Sequence, residues 1–457
     1  MKFSLLAPLA VAGLAAAVTD QASSNARQQK NMMQMQRLMD LKLSSREKLR
    51  KDGFFDAGRF KSIKEPQPCV DGKAGEYGCS NIDLLSFLSH EDLGSKTREG
   101  NDIWGWSSDD GREFVAAGQT DGTAFAEVLK GGELKYLGRL PTQTEPSTWR
   151  DMKVIDGYVY IGSEAEGHGL QIFDMRKLAE VTEPVTFDIS KDLTAWFDGF
   201  GSSHNIVAHE ETKMIYAVGT ARDTPCAGGL FMVDVSDPAN PTSPGCVSED
   251  GYVHDAQCVI YNGPDEQYLD REICFNYNED ALTIVDVTDK AKPVQISSTP
   301  YEGAAYTHQG WLANNENMEY LLLDDELDES DGTNPGEAGH TTTYIVNITS
   351  LATPSFTGFY QSPVKSIDHN QYVIDGLTYQ ANYGSGLRIV DVSSVSEDPT
   401  GKAFKEAAFF DCHPEDDAQG GVVEFVGTWS VYPYFKSGVI VLNSIERGLF
   451  ALKHNAA

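Results

Sequence analysis

A short run of apolar residues that ends in an acidic or amide residue recurs along most of the chain. It is clearest at residues 230–235, 282–287 and 387–392, where the run is typical of a buried β-strand followed by a turn. Looser copies of the same pattern occur at residues 170–175, 343–348, 123–128 and 449–452. Seven copies separated by 44 to 62 residues indicate a repeat architecture.

Each copy is preceded by two further strand-like segments, and in most repeats a fourth segment follows it. The first of these segments often opens on a histidine followed by a polar residue, at His204, His254, His308 and His369. Arg150 holds the same place in an earlier repeat. Units of four strands at this interval predict the blades of a β-propeller.

The two ends of the repeat region predict how the ring closes. The seventh repeat stops near residue 452 without a fourth strand, whereas the segment 83–88 precedes the first repeat and has no partner within it. Pairing of segment 83–88 beside the strand at Leu449 would remove the last free sheet edge. We therefore predict an all-β, seven-bladed β-propeller over residues 66–457, in which the N-terminal strand completes the last blade.

The first 65 residues follow a different pattern. Residues 3–18 form an apolar run after Lys2, and Ala15 and Ala17 supply the small residues of a cleavage site, so residues 1–17 are predicted to be a signal peptide. This run is shorter than the ~20 apolar residues of a membrane span, and we expect no span. Residues 18–65 are rich in Gln, Met, Arg and Lys and predict a helical or disordered leader, interpreted as a pro-segment.

The charge and the cysteines restrict the partners and the compartment. A formal net charge of −32 repels nucleic acid and anionic membranes, so neither is an expected partner. Seven cysteines fit an oxidising compartment, and Asn347 begins a glycosylation sequon. Cys69 and Cys79 bracket a Gly-rich loop, and Cys258 and Cys274 fall on two strands that should be neighbours, so each pair is predicted to form a disulfide. Cys226 and Cys246 remain as the third pair by elimination, which leaves Cys412 free.

The chain resembles the LVIVD-repeat propellers, in particular the choice-of-anchor B family of secreted and surface proteins. The resemblance rests on residues 69–80 (CVDGKAGEYGCS), 81–90, 101–106, 149–153, 163–174 (SEAEGHGLQIFD), 308–311 and 324–329. Members of the family carry varied C-terminal anchors, and residues 454–457 match none, so the resemblance implies free secretion. It implies no particular biochemical activity.

Propeller geometry predicts where the candidate residues gather. The innermost strands begin on the same face of the disc that carries the turns between second and third strands. The four histidines are therefore expected to form an arc around one mouth of the central channel, which Arg150 extends. The turns are expected to add polar groups on the same face, namely Glu164, His168, Asp324, Asp325 and Glu326.

Two interpretations of this arc remain open. Imidazoles and carboxylates from different blades suit Zn or Mn, and carboxylates with carbonyls suit Ca, so calcium or another divalent metal is the candidate cofactor. Alternatively, each histidine is a hydrogen-bonding post inside its own blade. The acidic turn at residues 323–339 is either a calcium loop or a solvated loop, and Glu164-x-Glu166-x-His168 is either a ligand set or part of a turn.

Three classes of function are compatible with these features. The chain lacks the G-x-S-x-G, H-E-x-x-H and P-loop motifs, which favours an extracellular binding module for a glycan, peptide or protein. Trp104, Trp106 and Trp311 either stack on a sugar or pack between blades. The alternatives are a metal-dependent hydrolase or lyase at the channel mouth, and a structural wall or matrix protein.

Overall fold

The computed structural model describes residues 9–455, with side chains from residue 26 onward. Residues 1–8 of the predicted signal peptide lie outside the described residues. The N-terminal part contains one long helix and three short strands, which are α1 (Leu9–Lys51), β1 (Lys73–Ala74), β2 (Tyr77–Ser80) and β3 (Ile82–Ser89). None of the helices in the described part of the chain is both long enough and apolar enough to cross a membrane.

Blades 1 to 3 follow as consecutive sheets, in which the strands of each blade pair antiparallel with one another. Blade 1 consists of β4 (Gly100–Ser107), β5 (Glu113–Gln119), β6 (Gly122–Val128) and β7 (Leu134–Pro141). Blade 2 consists of β8 (Arg150–Ile155), β9 (Tyr158–Ser163), β10 (Leu170–Asp174) and, after β11 (Val185–Thr186), which pairs with β7, the outer strand β12 (Ala195–Phe197). Blade 3 consists of β13 (Asn205–His209), β14 (Met214–Val218) and β15 (Phe231–Asp234).

Blades 4 to 7 complete the set. Blade 4 consists of β16 (Asp255–Ile260), β17 (Glu272–Tyr277), β18 (Ala281–Asp286) and β19 (Val294–Pro300). Blade 5 consists of β20 (Thr307–Leu312), β21 (Tyr320–Asp325), β22 (His340–Asn347) and β23 (Ser355–Lys365), with the one-turn helix α2 (Asp328–Asp331) between β21 and β22. Blade 6 consists of β24 (Gln371–Ile374), β25 (Leu377–Ala381), β26 (Leu387–Asp391) and β27 (Lys405–Phe410), and blade 7 of β28 (Thr428–Tyr432), β29 (Val439–Ser444) and β30 (Gly448–His454). Short 3-10 turns occur at Met175–Glu180, Glu266–Tyr268 and Asp417–Gln419.

The seven sheets form a closed ring. The first strand of each blade lies against the first strand of the next, in the order β4, β8, β13, β16, β20, β24 and β28, and β28 returns to β4. The central strands are buried on both faces because neighbouring blades cover them. The predicted seven-bladed β-propeller is therefore confirmed. Blade 3 departs from the expected four strands, because its outer segment makes only two isolated bridges, at Thr242 and Cys246.

The last blade takes its outer strand from the N-terminal part of the chain. Strand β3 pairs antiparallel with β30, and Phe87 lies opposite Phe450 with their ring centroids 4.5 Å apart. On its other side β3 makes two isolated bridges, to Ile63 and Gln67, which cover the edge. Strand β3, which precedes the first blade, and β30, the last strand, are thus held in one sheet.

Three disulfides staple loops and strands at separate places in the ring. Cys69 and Cys79 close the loop before β3, Cys226 and Cys246 join the flanks of β15, and Cys258 and Cys274 are directly opposite each other on β16 and β17. These are the pairs that the sequence predicts. Cys412 is a buried free thiol. Asn347, at the end of β22, is partly exposed, and its glycosylation stays a prediction.

The pairing of β3 with β30 predicts a large effect for Phe87→Ala. Phe87 is only 1% exposed, so truncation leaves a cavity beside Phe450, and we expect the free energy of unfolding to fall by about 3–5 kcal/mol. Val294→Ala, on the exposed outer strand of blade 4, is the control and should change it by less than about 0.5 kcal/mol. Denaturant unfolding measures both. Equal effects would contradict a closure that depends on this contact.

Candidate functional site

Four histidines from successive blades form a continuous arc at one end of the channel. His204, His254, His308 and His369 lie at or just before the starts of the inner strands of blades 3 to 6. The ring centroids of successive members are 4.2, 4.3 and 4.5 Å apart. All four side chains are buried. The structure therefore brings together the four histidines that the repeat pattern singles out.

The arc is held mainly by hydrogen bonds between blades. The Nδ1–H of His254 donates to the carbonyl of His308 at 2.8 Å, and that of His369 donates to the carbonyl of Trp429 at 2.5 Å. His204 Nδ1 lies 2.5 Å from Glu164 Oε1 of the preceding blade. These three contacts cross a blade boundary, whereas His308 contacts Asp324 within its own blade. The interpretation of the histidines as posts inside their own blades was therefore wrong for His204, His254 and His369.

His308 contacts carboxylates on both sides of its ring. Its Nδ1 lies 3.0 Å from Asp324 Oδ1, within blade 5, and its Nε2 faces Glu326 Oε2 at 3.8 Å. The other oxygen of Glu326 lies 3.6 Å from Nε2 of His369. Donor atoms of His254, His308 and Glu326 all lie within 4.8 Å of one another, so these three residues form a group with the spacing of metal ligands.

Helix α1 covers the arc from outside. Lys42 is 1% exposed, and its Nζ donates to Glu326 Oε1 at 2.7 Å while lying 5.2 Å from the ring of Trp429. One helical turn later Arg46 is also fully buried; its Nε bonds Glu99 at 3.1 Å. Two cations of the leader are therefore inserted into this mouth of the channel.

An apolar contact surrounds these buried cations. Leu38 and Leu49 of α1 are buried and, with Phe54 and Phe55 after the helix, share one hydrophobic cluster with propeller residues. The aromatic propeller members of this cluster are Trp149, Tyr306, Tyr383, Phe425 and Trp429. The leader thus covers this mouth of the channel through apolar contacts and through buried ion pairs.

Sequence reasoning did not select Lys42 as a site residue. A signal was present, because Leu38, Lys42, Arg46 and Leu49 recur at intervals of three and four and therefore share one face of a helix. Two cations on an otherwise apolar face indicate that the face meets buried acids. What the sequence does not contain is the identity of the surface on which this face docks.

Burial determines the ionisation of the arc. It lowers the pKa of His308 well below its usual range, and the neighbouring His254 and His369 lower it further. Burial also lowers the pKa of His204 to about 3 and raises that of Glu164 to about 7. The imidazoles are consequently neutral at pH 7, and neutral imidazole is the form that coordinates metals.

The acidic turn after β21 is buried, and the interpretation of a solvated loop was wrong for its first part. Asp325 is fully buried and accepts backbone N–H groups from Ala305, Tyr306 and Leu327, so it fixes the path of the chain. Asp324 accepts the side-chain N–H of Gln371 at 2.9 Å in addition to its contact with His308. Binding of calcium by this turn stays a prediction.

Two predicted members of the site lie elsewhere. The guanidinium of Arg150 donates to the carbonyl of Gln119 and to Thr142, and its Nη1 lies 2.9 Å from Nε2 of His168. None of its described contacts is with the four histidines of the arc. Glu164 contacts the arc and Glu166 is exposed, so Glu164, Glu166 and His168 do not form one ligand set.

The opposite mouth of the channel contains an open cavity of about 530 Å³. Its lining comes from later positions along the inner strands than the histidines do, which places it at the other end of the channel. All seven blades contribute to it, and its aromatic members are Trp104, Trp106, Trp311, Tyr372, Tyr432 and Tyr434. The three tryptophans are partly exposed, so they line the cavity as well as pack between blades.

The aromatic side chains of this cavity hold one another in edge-to-face contacts. The ring of Tyr372 lies 5.5 Å from that of Trp104 and 5.0 Å from that of Trp311, in both cases nearly perpendicular. Lys153 lies 4.7 Å from the centre of the Trp104 ring, and its Nζ donates to Asp151 at 2.7 Å. The cavity is therefore an aromatic rim above a charged floor.

A further buried ion pair lies beside the leader and was not selected from the sequence. His413 Nδ1 is 2.6 Å from Glu446 Oε1, and Phe54 stacks on the imidazole with ring centroids 6.0 Å apart. Burial alone would lower the pKa of His413, but the Glu446 carboxylate outweighs it and raises the pKa to about 9. His413 is consequently a charged, buried histidine at pH 7.

Comparison with known proteins agrees with the repeat. The model of the LVIVD repeat matches residues 226–248, which contain β15 and both cysteines of one disulfide. No curated protein matches the chain. The match and the seven-bladed fold together confirm the resemblance to LVIVD-repeat propellers, and the narrower choice-of-anchor B assignment stays a prediction.

The buried pair of Lys42 and Glu326 predicts that Lys42→Met is strongly destabilising. The substitution leaves the Glu326 carboxylate without its cation, and we expect a loss of about 3–5 kcal/mol in the free energy of unfolding. Lys48→Met removes an exposed pair with Glu424 from the same helix and should cost less than about 1 kcal/mol. Restoration of most of the lost stability in Lys42→Met/Glu326→Gln would support the pairing; equal losses in the two lysine variants would contradict it.

The raised pKa of His413 predicts a pH-dependent contribution to stability. The unfolded pKa is about 6.5, so the contribution is fully present below that pH and is lost as the pH rises through about 9. Between pH 6.5 and 9, the wild-type free energy of unfolding should fall by roughly 2–3 kcal/mol more than that of His413→Gln. Parallel pH profiles for the two proteins would show that the pair is not charged in the folded state.

Proposed function

We propose that the protein is a secreted binding module that takes up a glycan in the aromatic cavity at the open mouth of the channel. The observation that carries the proposal is the combination of flat aromatic faces and hydrogen-bonding side chains in one concave site. A sugar ring has the complementary surface, because it presents C–H groups on its faces and hydroxyls around its rim.

The polar side chains of the cavity are oriented by the backbone. Gln257 Oε1 accepts the N–H of Leu312, and Gln309 Oε1 accepts the N–H of Gln371, each at 2.8 Å. Because these amide oxygens already accept hydrogen bonds, the side-chain NH2 groups of Gln257 and Gln309 remain as donors. Neither NH2 group has a protein acceptor in the described part of the chain. Asp255, whose pKa burial raises to about 7, adds an acceptor on the cavity wall. Fixed donors and acceptors of this kind suit the recognition of hydroxyls.

The fold also supports binding over catalysis. The alternative, a metal-dependent hydrolase or lyase at the histidine mouth, is not favoured. Helix α1 covers that mouth, and the Glu326 carboxylate forms an ion pair with Lys42. Of the two mouths of the channel, the aromatic one is open to a ligand. Secretion is supported by the three disulfides, since such bonds persist in oxidising compartments.

The tryptophan at the rim provides the test of this proposal. A library of neutral and charged oligosaccharides is screened, and the affinity of the best ligand is measured by calorimetry for wild type, Trp311→Ala and Trp196→Ala. Trp311 lines the cavity, so its loss should weaken binding at least tenfold, which is about 1.4 kcal/mol. Trp196 is 45% exposed on the outer strand of blade 2, and its loss should leave the affinity unchanged.

Three outcomes would overturn the proposal. They are the absence of glycan binding in the whole library, an equal loss of affinity in both tryptophan variants, and capture of peptides rather than glycans by the same cavity. Thermal unfolding of each variant, measured alongside, separates a lost contact from a misfolded protein.

A further inference from the structure

Among the described residues, the middle of the histidine arc contains three buried polar atoms that have no hydrogen-bond partner. We propose that Nε2 of His254, Nε2 of His308 and the carboxylate of Glu326 form a binding site for a divalent transition metal, and that Lys42 of helix α1 competes with the metal for this site. The site lies at the covered mouth of the channel, so it is separate from the glycan cavity and does not depend on it.

The hydrogen bonds of the arc fix which ring nitrogen carries the proton. His254 Nδ1 contacts the carbonyl of His308, and a carbonyl only accepts, so Nδ1 is protonated and Nε2 has a free lone pair. His308 Nδ1 contacts the carboxylate of Asp324, which selects the same tautomer. Both Nε2 atoms are therefore electron-pair donors.

These atoms have no hydrogen-bond partner. Among the described residues, His254 Nε2, His308 Nε2 and Glu326 Oε2 are all buried and unpaired. Their residues are 1%, 1% and 0% exposed. Three unpaired acceptors at one buried point are unfavourable unless something positive or protic lies between them. A metal cation satisfies all three at once.

The distances and the donor types agree with such an ion. The donor atoms lie within 4.8 Å of one another, and His308 Nε2 is 3.8 Å from Glu326 Oε2. Ligands of a tetrahedral zinc ion at bond lengths of 2.0–2.1 Å lie about 3.4 Å apart, so small side-chain rotations close the site. Two imidazoles and one carboxylate leave a fourth position open and suit zinc or a related transition metal better than calcium, which prefers oxygen ligands.

The surroundings of the imidazoles also resemble those of metal ligands. A histidine that coordinates through Nε2 usually donates Nδ1–H to a carbonyl or a carboxylate, which orients the ring. His254 has the carbonyl of His308 in that place, and His308 has Asp324. The supporting contacts of a metal site are thus already formed without the metal.

Lys42 opposes the metal. Its ammonium group bonds Oε1 of the carboxylate whose Oε2 faces the histidines, so a metal at Oε2 would lie only about 5 Å from the ammonium charge. Two cations at that distance in a buried site repel each other strongly. The docked leader should therefore lower the affinity for metal, and loss of the Lys42 charge should raise it.

The test measures metal binding by the full chain after treatment with a chelator. Zinc is titrated against a chromophoric competitor into wild type, Lys42→Met and Lys42→Met/His308→Gln, and the visible absorption of bound Co²⁺ reports the coordination geometry. We expect Lys42→Met to bind one zinc ion at least tenfold more tightly than wild type. The added His308→Gln should weaken zinc binding by at least tenfold and abolish the tetrahedral Co²⁺ spectrum.

Lys42→Met/His168→Gln is the matched control, because His168 is buried but bonded to Arg150, outside the site. It should bind zinc as Lys42→Met does. Equal zinc affinity with and without His308, or no zinc binding in any protein, would overturn the proposal. Binding that is lost with Glu329→Gln but kept with His308→Gln would do the same, since it would assign the ion to the neighbouring acidic turn.

If Lys42→Met does not fold, the comparison is made in the wild-type background. Wild type and His168→Gln should then bind zinc weakly and equally, and His308→Gln and Glu326→Gln should bind less. Indistinguishable titrations of these four proteins would overturn the proposal in this form as well.

Discussion

The closure of the ring by strand β3 is the constraint on which the other features depend. A single blade cannot bury both of its faces, and a row of blades leaves two open ends, so the fold is stable only when the seventh sheet meets the first. The pairing of β3 with β30 holds the first and the last parts of the propeller in one sheet. With the ring closed, all inner strands begin at the same end of the channel. Residues as distant in the chain as His204 and His369 then belong to one arc of neighbouring imidazoles.

The buried charges under helix α1 are better explained as determinants of specificity than of stability. Bringing Lys42 and Glu326 out of water costs several kcal/mol for each ion, and their mutual attraction roughly offsets this cost. An apolar pair of similar size would cover the mouth equally well. The charged pair instead selects one docking position for the helix, because a shift by one residue would leave both an ammonium and a carboxylate unpaired in the interior. One helical turn later, Arg46 forms a second buried ion pair, with Glu99, which fixes the docking position in the same way.

The repeat was predictable from the sequence, and the contacts that break the repeat were not. The blade count, the closure strand and the arc of histidines follow from positions that recur, since equivalent positions in a propeller occupy equivalent places. Arg150 occupies such a position, yet its long side chain turns away from the arc toward His168, because rotamers are not determined by repeat register. A solvated loop was one of two interpretations of the acidic turn, because acidic residues are usually exposed. Its burial depends on the backbone N–H groups of Ala305 and Tyr306 and on the leader, which only the folded chain brings near.

The two ends of the channel differ in charge and in their accessibility to solvent, and this difference affects which kind of sugar the open end favours. Between the histidine arc and the aromatic rim lies a layer in which Lys153 is bonded to Asp151 and approaches Asp102, with Asp255 nearby. Burial raises the pKa of Asp151 and raises that of Asp255 to about 7, so the ammonium group of Lys153 largely balances the carboxylates there, whereas the whole protein has a net charge of −32. An anionic sugar would meet repulsion from this overall charge on approach. A neutral or amino sugar would instead find acceptors for its hydroxyls or its ammonium group, so the electrostatics of the channel favour that part of the glycan class.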